Sequence, residues 1–117
     1  MNNIDIAVIG AGSAGSIIVN KLLSETNFNI ALIEAGPKDN SPIIDVPLGY
    51  GMTFYNKKIN WNFYSEKQDN LFKRQIYYPR GKVLGGSGSI NAMVYARGLE
   101  TDYENWSTNK EWSFENI

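Results

Sequence analysis

At 117 residues, with 43% apolar residues and a formal net charge of −1, the chain has the size of one domain and enough apolar side chains to bury a core. The near-neutral charge argues against a nucleic-acid surface, and the absence of both His and Cys excludes the common zinc sites and any disulfide framework. No apolar run approaches the roughly 18 residues that cross a bilayer and no signal peptide precedes the first apolar run, so cytoplasmic placement is expected, with peripheral attachment to the inner membrane left open.

In chain order, the β-branched run Ile4 to Ile9 predicts a short buried parallel strand. It leads into Gly10-Ala11-Gly12-Ser13-Ala14-Gly15, which fits the pattern G-x-G-x-x-G. From Ser13 to Thr26 the residues Ala14, Ile18 and Leu22 recur four apart, and Ile17, Val19 and Leu23 widen the stripe, which is helix spacing. Each glycine has a mechanical reason: a tight turn at Gly10, close approach of backbone to a pyrophosphate at Gly12, and helix–strand packing at Gly15. The helix N-terminus then offers free amides and partial positive charge to phosphate, with no lysine required. A second strand, Asn29 to Ile33, ends at Glu34, 34 − 15 = 19 positions beyond the last glycine. The acid that bonds an adenosine ribose is expected at roughly 20. A carboxylate there accepts from both ribose hydroxyls and repels a 2′-phosphate, which favours FAD or NAD over NADP. An ordinary tight β–α turn is the bland alternative, and the flanking strand, helix and acid together outweigh it.

Beyond Glu34 the run Ala35-Gly36-Pro37 resembles the flavoprotein version of this fold. An irregular stretch with Pro42 and Pro47 follows, and then Tyr50, Phe54, Tyr55, Trp61, Phe63, Tyr64 and Phe72, which predict the packing of a long covering loop over residues 37–77. The last section, 78–117, contains Tyr-Pro-Arg-Gly-Lys at 78–82 and Gly-Gly-Ser-Gly at 85–88, which runs directly into Ile90-Asn91-Ala92-Met93-Val94-Tyr95. That reads as a second phosphate-type loop entering an apolar helix or strand. Unhindered amides at such a loop can surround anionic oxygens, and the hydroxyls of Ser87 and Ser89 can add hydrogen bonds. Asp102 to Trp106 is expected to form one or two surface helical turns, and Ser113 reads as a helix N-cap with Glu115 in the first turn.

Gly81, Lys82, Leu84, Gly85, Gly86, Ser87 and Gly88, followed by Ile90, Asn91, Tyr95, Gly98 and Glu104, resemble the signature of the glucose–methanol–choline (GMC) family of FAD-dependent alcohol oxidoreductases. The resemblance covers essentially the whole chain and implies an α/β, Rossmann-like FAD-binding fold of the GMC type. It further implies a β-α-β dinucleotide unit at 1–36, a covering region at 37–77 and a flavin-contacting segment at 78–117, with no substrate domain. The cofactor-binding residues it implies are Gly10, Gly12, Ser13, Ala14, Gly15, Glu34 and Ala35 from the first motif. From the second they are Arg80, Gly81, Leu84, Gly85, Gly86, Ser87, Asn91, Ala92, Met93 and Val94. Amides around Gly85 to Ser87 are expected along the FAD pyrophosphate and flavin, and Asn91 near the isoalloxazine ring.

The family oxidises alcohols by hydride transfer to flavin, and its proton-accepting His lies in a C-terminal region, so no catalytic residue is assigned among these 117. Pro79-Arg80-Gly81-Lys82 and Ile90-Asn91-Ala92-Met93 look most like the choline dehydrogenase branch. Tyr78 stands about where some relatives carry a histidyl link, and no His or Cys is present, so non-covalent FAD is expected. GMC enzymes are several times longer and their sheet has more strands, so an incomplete N-terminal fragment is the expectation. A small-molecule alcohol is the implied substrate of the parent, with the oligomeric state open. The alternatives are a stand-alone nucleotide-binding module and an inactive truncated fragment.

Overall fold

The computed structural model describes residues 3–106 and 110–116. Strand β1 (Ile6–Ile9) and strand β2 (Ile30–Ile33) pair in parallel with Ile6 opposite Ile30 and Ile9 opposite Ile33. Helix α1 (Ser13–Glu25) connects them. Asp5 sets the entry, because its carboxylate accepts the Asn29 amide at 2.8 Å and so aligns the two strand starts. At the far end of α1 the Thr26 hydroxyl and amide both return to Leu22 O and stop the helix one residue before the predicted end.

Two expectations for this unit need correction. The β1 run is half-exposed rather than buried, with Ile9 76% accessible, because a two-stranded sheet carries no outer strand and one helix covers only part of it. The inward stripe of α1 is also rotated from the predicted one. Gly15, Val19 and Leu22 are half-buried while Ala14, Ile17, Ile18 and Leu23 face outward. Gly15 decides that rotation. Only a face without Cβ can lie against the backbone at Gly10, so the helix turns that face to the strand.

Residues 37–77 are more ordered than a covering loop. Pro42 and Pro47 each occupy the first turn of a short helical piece, α2 (Pro42–Asp45) and a 3-10 turn (Pro47–Gly49), where a missing amide costs nothing. Helix α3 (Tyr50–Thr53) follows. Then β3 (Phe63–Tyr64) and β4 (Tyr77–Tyr78) form an antiparallel pair across the predicted boundary at residue 77. Most of the expected aromatics pair with a ring, Tyr55 stacking on Tyr77, Trp61 on Phe63 and Tyr50 meeting Phe54 edge-on, but Phe72 is 91% exposed and does not join them.

The buried core lies under the second glycine loop, not under the parallel strands. Val83, Ile59 and Ile90 form it, with Ile43 and Ile44 of α2 packed against them. Complete burial of Val83 contributes roughly 1.5–3 kcal/mol. The loop itself is a 3-10 turn (Gly86–Ile90), and here the sequence expectation fails again. Residues 92–98 form neither helix nor strand; Met93, Val94 and Tyr95 are exposed and Met93 has a φ of +56°. An apolar run needs a covering partner to become regular, and among the described residues none covers this one. The expected surface turns appear as α4 (Glu100–Trp106), and a 3-10 turn at Phe114–Asn116 starts directly after Ser113.

Candidate functional site

The two glycine loops, about 70 residues apart in sequence, meet. Gly85 donates its amide to Ala11 O at 2.9 Å, and Gly12 and Gly85 form a parallel bridge. Gly85 and Gly86 have φ of +87° and +62°, a region that favours glycine, and a Cβ on Gly86 would stand 2.9 Å from Gly12 Cα. The approach therefore requires glycine at 86. The Ser13 hydroxyl, at the first turn of α1, lies against Gly88.

Space remains open in front of this junction. A Cβ built on Gly12 meets nothing nearer than Gly86 Cα at 3.9 Å, and one on Gly10 meets nothing within 4 Å. No side chain caps the N-terminus of α1, and its first turn holds no acid. The positive end of a 13-residue helix thus points to a gap bordered by backbone, a cradle whose chemistry fits a pyrophosphate.

Glu34 closes one side of it. Its Oε2 accepts the Ala11 amide at 2.9 Å and its Oε1 accepts the Gly36 amide at 3.0 Å. A carboxylate has about four acceptor sites, so two remain for the hydroxyls of a ribose. The side chain is already oriented by the loop it serves. Ala35, beside it, is exposed.

The second motif divides into residues at the junction and residues beyond it. Gly81 donates its amide to Ser87 Oγ at 3.0 Å, and Leu84 donates its own to Pro37 O at 2.9 Å, so the loop is tied at both flanks. Arg80 turns its guanidinium over the Tyr78 ring, 5.0 Å from the centroid, instead of toward the cradle. The Asn91 carboxamide spans the loop exit, donating to Gly88 O and accepting from the Met93 amide. Arg80, Ser87, Asn91 and Ala92 share a cavity of ≈ 210 Å³ with Phe54 and Ile90. Met93 and Val94 are exposed, and Met93 borders a second cavity with Gly88, Ser89 and Asn91.

Sequence reading missed the polar residues that support the second loop. Thr53 and Asn60 are 1% and 2% exposed, and nothing in their neighbourhood marks them in the sequence. The single Tyr77 O–H is shared between Phe54 O and Asn62 Oδ1, and desolvation, then Tyr64 and Tyr55, raise its pKa.

The family profile of GMC oxidoreductases matches residues 4–116. The chain belongs to the GMC oxidoreductase family. An alcohol dehydrogenase [acceptor] of Pseudomonas putida is 48% identical over 102 residues, 87% of this chain and 18% of that protein. An oxygen-dependent choline dehydrogenase of Rhizobium etli is 43% identical over 102 residues, 87% of this chain and 19% of that one. Among solved structures, pyridoxine 4-oxidase from Mesorbium loti superposes with a TM-score of 0.77 at 31% identity, over 97% of this chain and 23% of the other. Formate oxidase gives 0.75 at 25% identity, over 97% and 20%. The chain thus spans about a fifth of the length of the relatives it matches. Its fold is the N-terminal FAD-binding part of the GMC architecture, and FAD is the cofactor that the joined loops and Glu34 fit.

Proposed function

We propose that these residues are the FAD-binding part of an oxidoreductase that acts on CH–OH groups of small alcohols, with a choline dehydrogenase-like substrate as the finer reading. The observation that carries it is the bridge between Gly12 and Gly85 in front of the uncapped end of α1, with Glu34 locked beside it. The similarity to the Pseudomonas putida and Rhizobium etli enzymes supports the alcohol class.

Each part of the site then has a role. Gly10, Gly12, Ser13, Ala14 and Gly15 present the helix end to the pyrophosphate. Glu34, flanked by Ala35, accepts the ribose hydroxyls with its remaining lone pairs. Gly81, Leu84, Gly85, Gly86 and Ser87 form the opposite wall, and Asn91 and Ala92, which border one cavity with Ser87, continue it toward the reacting end of the cofactor. Met93 and Val94 are exposed after them, and the Arg80 guanidinium is held over Tyr78 at its edge. FAD held here supplies the acceptor for the hydride that leaves the alcohol carbon. The chain has no His and no Cys, which supports non-covalent binding and a proton acceptor outside these residues. No helix among the described residues is long and apolar enough to cross a membrane, and a cytoplasmic location is part of the same proposal. Anaerobic addition of primary alcohols, choline among them, to the full-length protein should bleach its flavin absorbance. An unreduced flavin across such a panel would remove the alcohol assignment while leaving the cofactor assignment intact.

Replacement of Glu34 tests the ribose contact. Glu34→Ala removes a charged acceptor, and hydrogen bonds to a charged group are worth about 1.5–3 kcal/mol. FAD affinity of the full-length protein should fall roughly tenfold to a hundredfold or somewhat more. The fold should persist at some cost in stability, since the half-buried residue follows the end of β2 but its loss leaves the Ala11 and Gly36 amides without their acceptor. Flavin titration checks this, and an unchanged affinity would show that the ribose lies elsewhere.

A further inference from the structure

Asn60 is a buried carboxamide outside both glycine motifs, and it uses its whole bonding capacity on backbone. Its Nδ2 donates to Phe54 O at 2.9 Å and to Thr53 O at 3.4 Å, at the end of α3. Its Oδ1 accepts the Asn62 amide at 2.9 Å and the Arg80 amide at 3.1 Å. Around it the chain segments 59–61 and 80–82 pair antiparallel, with Trp61 donating to Arg80 O and Lys82 to Ile59 O. Gly81 in turn lies so close to the backbone of Gly86 and Ser87 that no Cβ fits between them. Asn60 is therefore two short steps from the junction: it holds Arg80, and the residue after Arg80 packs on Gly86, which packs on Gly12.

We propose that Asn60 is a positioning residue for the second glycine loop, fixing where Arg80 and Gly81 enter it and thereby how Gly86 meets Gly12. The loop's own residues cannot do this alone. Glycines supply close approach but little resistance to movement, so the entrance must be held from outside. Asn60 also explains why the covering region belongs to the site: it joins α3 to the loop through one side chain. The effect on FAD rests on the cofactor reading above.

Asn60→Asp separates positioning from packing, since the shape is nearly unchanged. One carboxyl oxygen still accepts from Asn62 and Arg80. The other faces Phe54 O, which it repels when charged and to which it donates when protonated. Burial shifts such a carboxyl toward the protonated form. The titratable or charged residues on neighbouring elements are Tyr77, Arg80 and Lys82, and the wild type carries all three, so its own pH profile is the control.

In the full-length protein we expect the variant to bind FAD at least about tenfold more weakly than wild type near pH 8, with most of that loss recovered near pH 5.5. Equal affinity at both pH values, or an equal loss at both, overturns the proposal. A second arm needs no cofactor: in Asn60→Ala, amide exchange at Gly81 should quicken at least about tenfold while Ile6–Ile9 exchange as in wild type. Gly81 is the informative amide because it donates to Ser87, not to Asn60. Unchanged protection there also overturns the proposal, whereas faster exchange in a protein that never binds FAD would leave positioning intact and refute the cofactor reading.

Discussion

Gly12→Ala in the full-length protein is expected to fold as well as wild type and to lose FAD by roughly a hundredfold or more. Gly12 has φ −77° and ψ −171°, an extended conformation that alanine adopts freely, and the new methyl meets no protein atom closer than 3.9 Å. With less freedom in the unfolded chain, the apoprotein should gain about 0.4–1 kcal/mol, if it changes at all. The methyl instead occupies the gap before the end of α1, where the phosphates must come within hydrogen-bond distance of backbone. Displacing them costs at least two hydrogen bonds to a charged group, about 3–6 kcal/mol, hence two to four orders of magnitude in affinity. Calorimetric titration of FAD and a thermal melt of the apoprotein check both halves. Normal FAD affinity would mean that the gap is not the phosphate site.

Gly15→Ala should do the opposite, with the loss falling on folding. A Cβ at Gly15 overlaps Gly10 O and approaches Gly10 C at 3.2 Å and the Val8 side chain at 3.5 Å. Gly10 cannot move aside without giving up its amide bond to Ile33 O at 2.7 Å, which closes the end of the parallel pair. Overpacking against backbone costs about 1–3 kcal/mol or more. Alanine's helix preference returns up to about 1 kcal/mol of that. The net sign is destabilising, and the melting temperature should fall even without cofactor. A variant that melts like wild type would show that α1 packs on β1 differently. Two alanines three residues apart, at Gly12 and Gly15, thus separate the ligand-facing glycine from the packing glycine.

Local and periodic features were legible in the sequence. The strand–loop–helix–strand order, the extent of α1 and the distance from Gly15 to Glu34 depend on neighbours within one unit, and all appear. The stripe on α1 was read one position off because side-chain hydrophobicity was weighed above the need for Gly15 to face the strand. The run from Ala92 to Tyr95 misleads for a related reason: Met93-Val94-Tyr95 is apolar enough for a strand or helix, but regularity comes from a partner, which sequence does not display. The β3–β4 pair is two residues long on each side, too short for a period-2 signal to stand out among aromatics. The joining of Gly12 to Gly85 and the buried bonds of Asn60 are long-range and polar, so they had no periodic trace at all. Chemistry carried the cofactor as far as FAD or NAD, since backbone approach to phosphate favours glycine and a ribose diol favours an acid. The choice of FAD came from the resemblance of the second loop to the GMC signature.

The central claim, that the two loops and Glu34 form one FAD site, is tested most directly by identifying what the full-length protein carries. The protein should purify yellow, and acid or heat should release intact FAD in near-stoichiometric amount, leaving an apoprotein that takes FAD back and does not take NADH or NADPH. A colourless protein that binds NADH in its place would contradict the account.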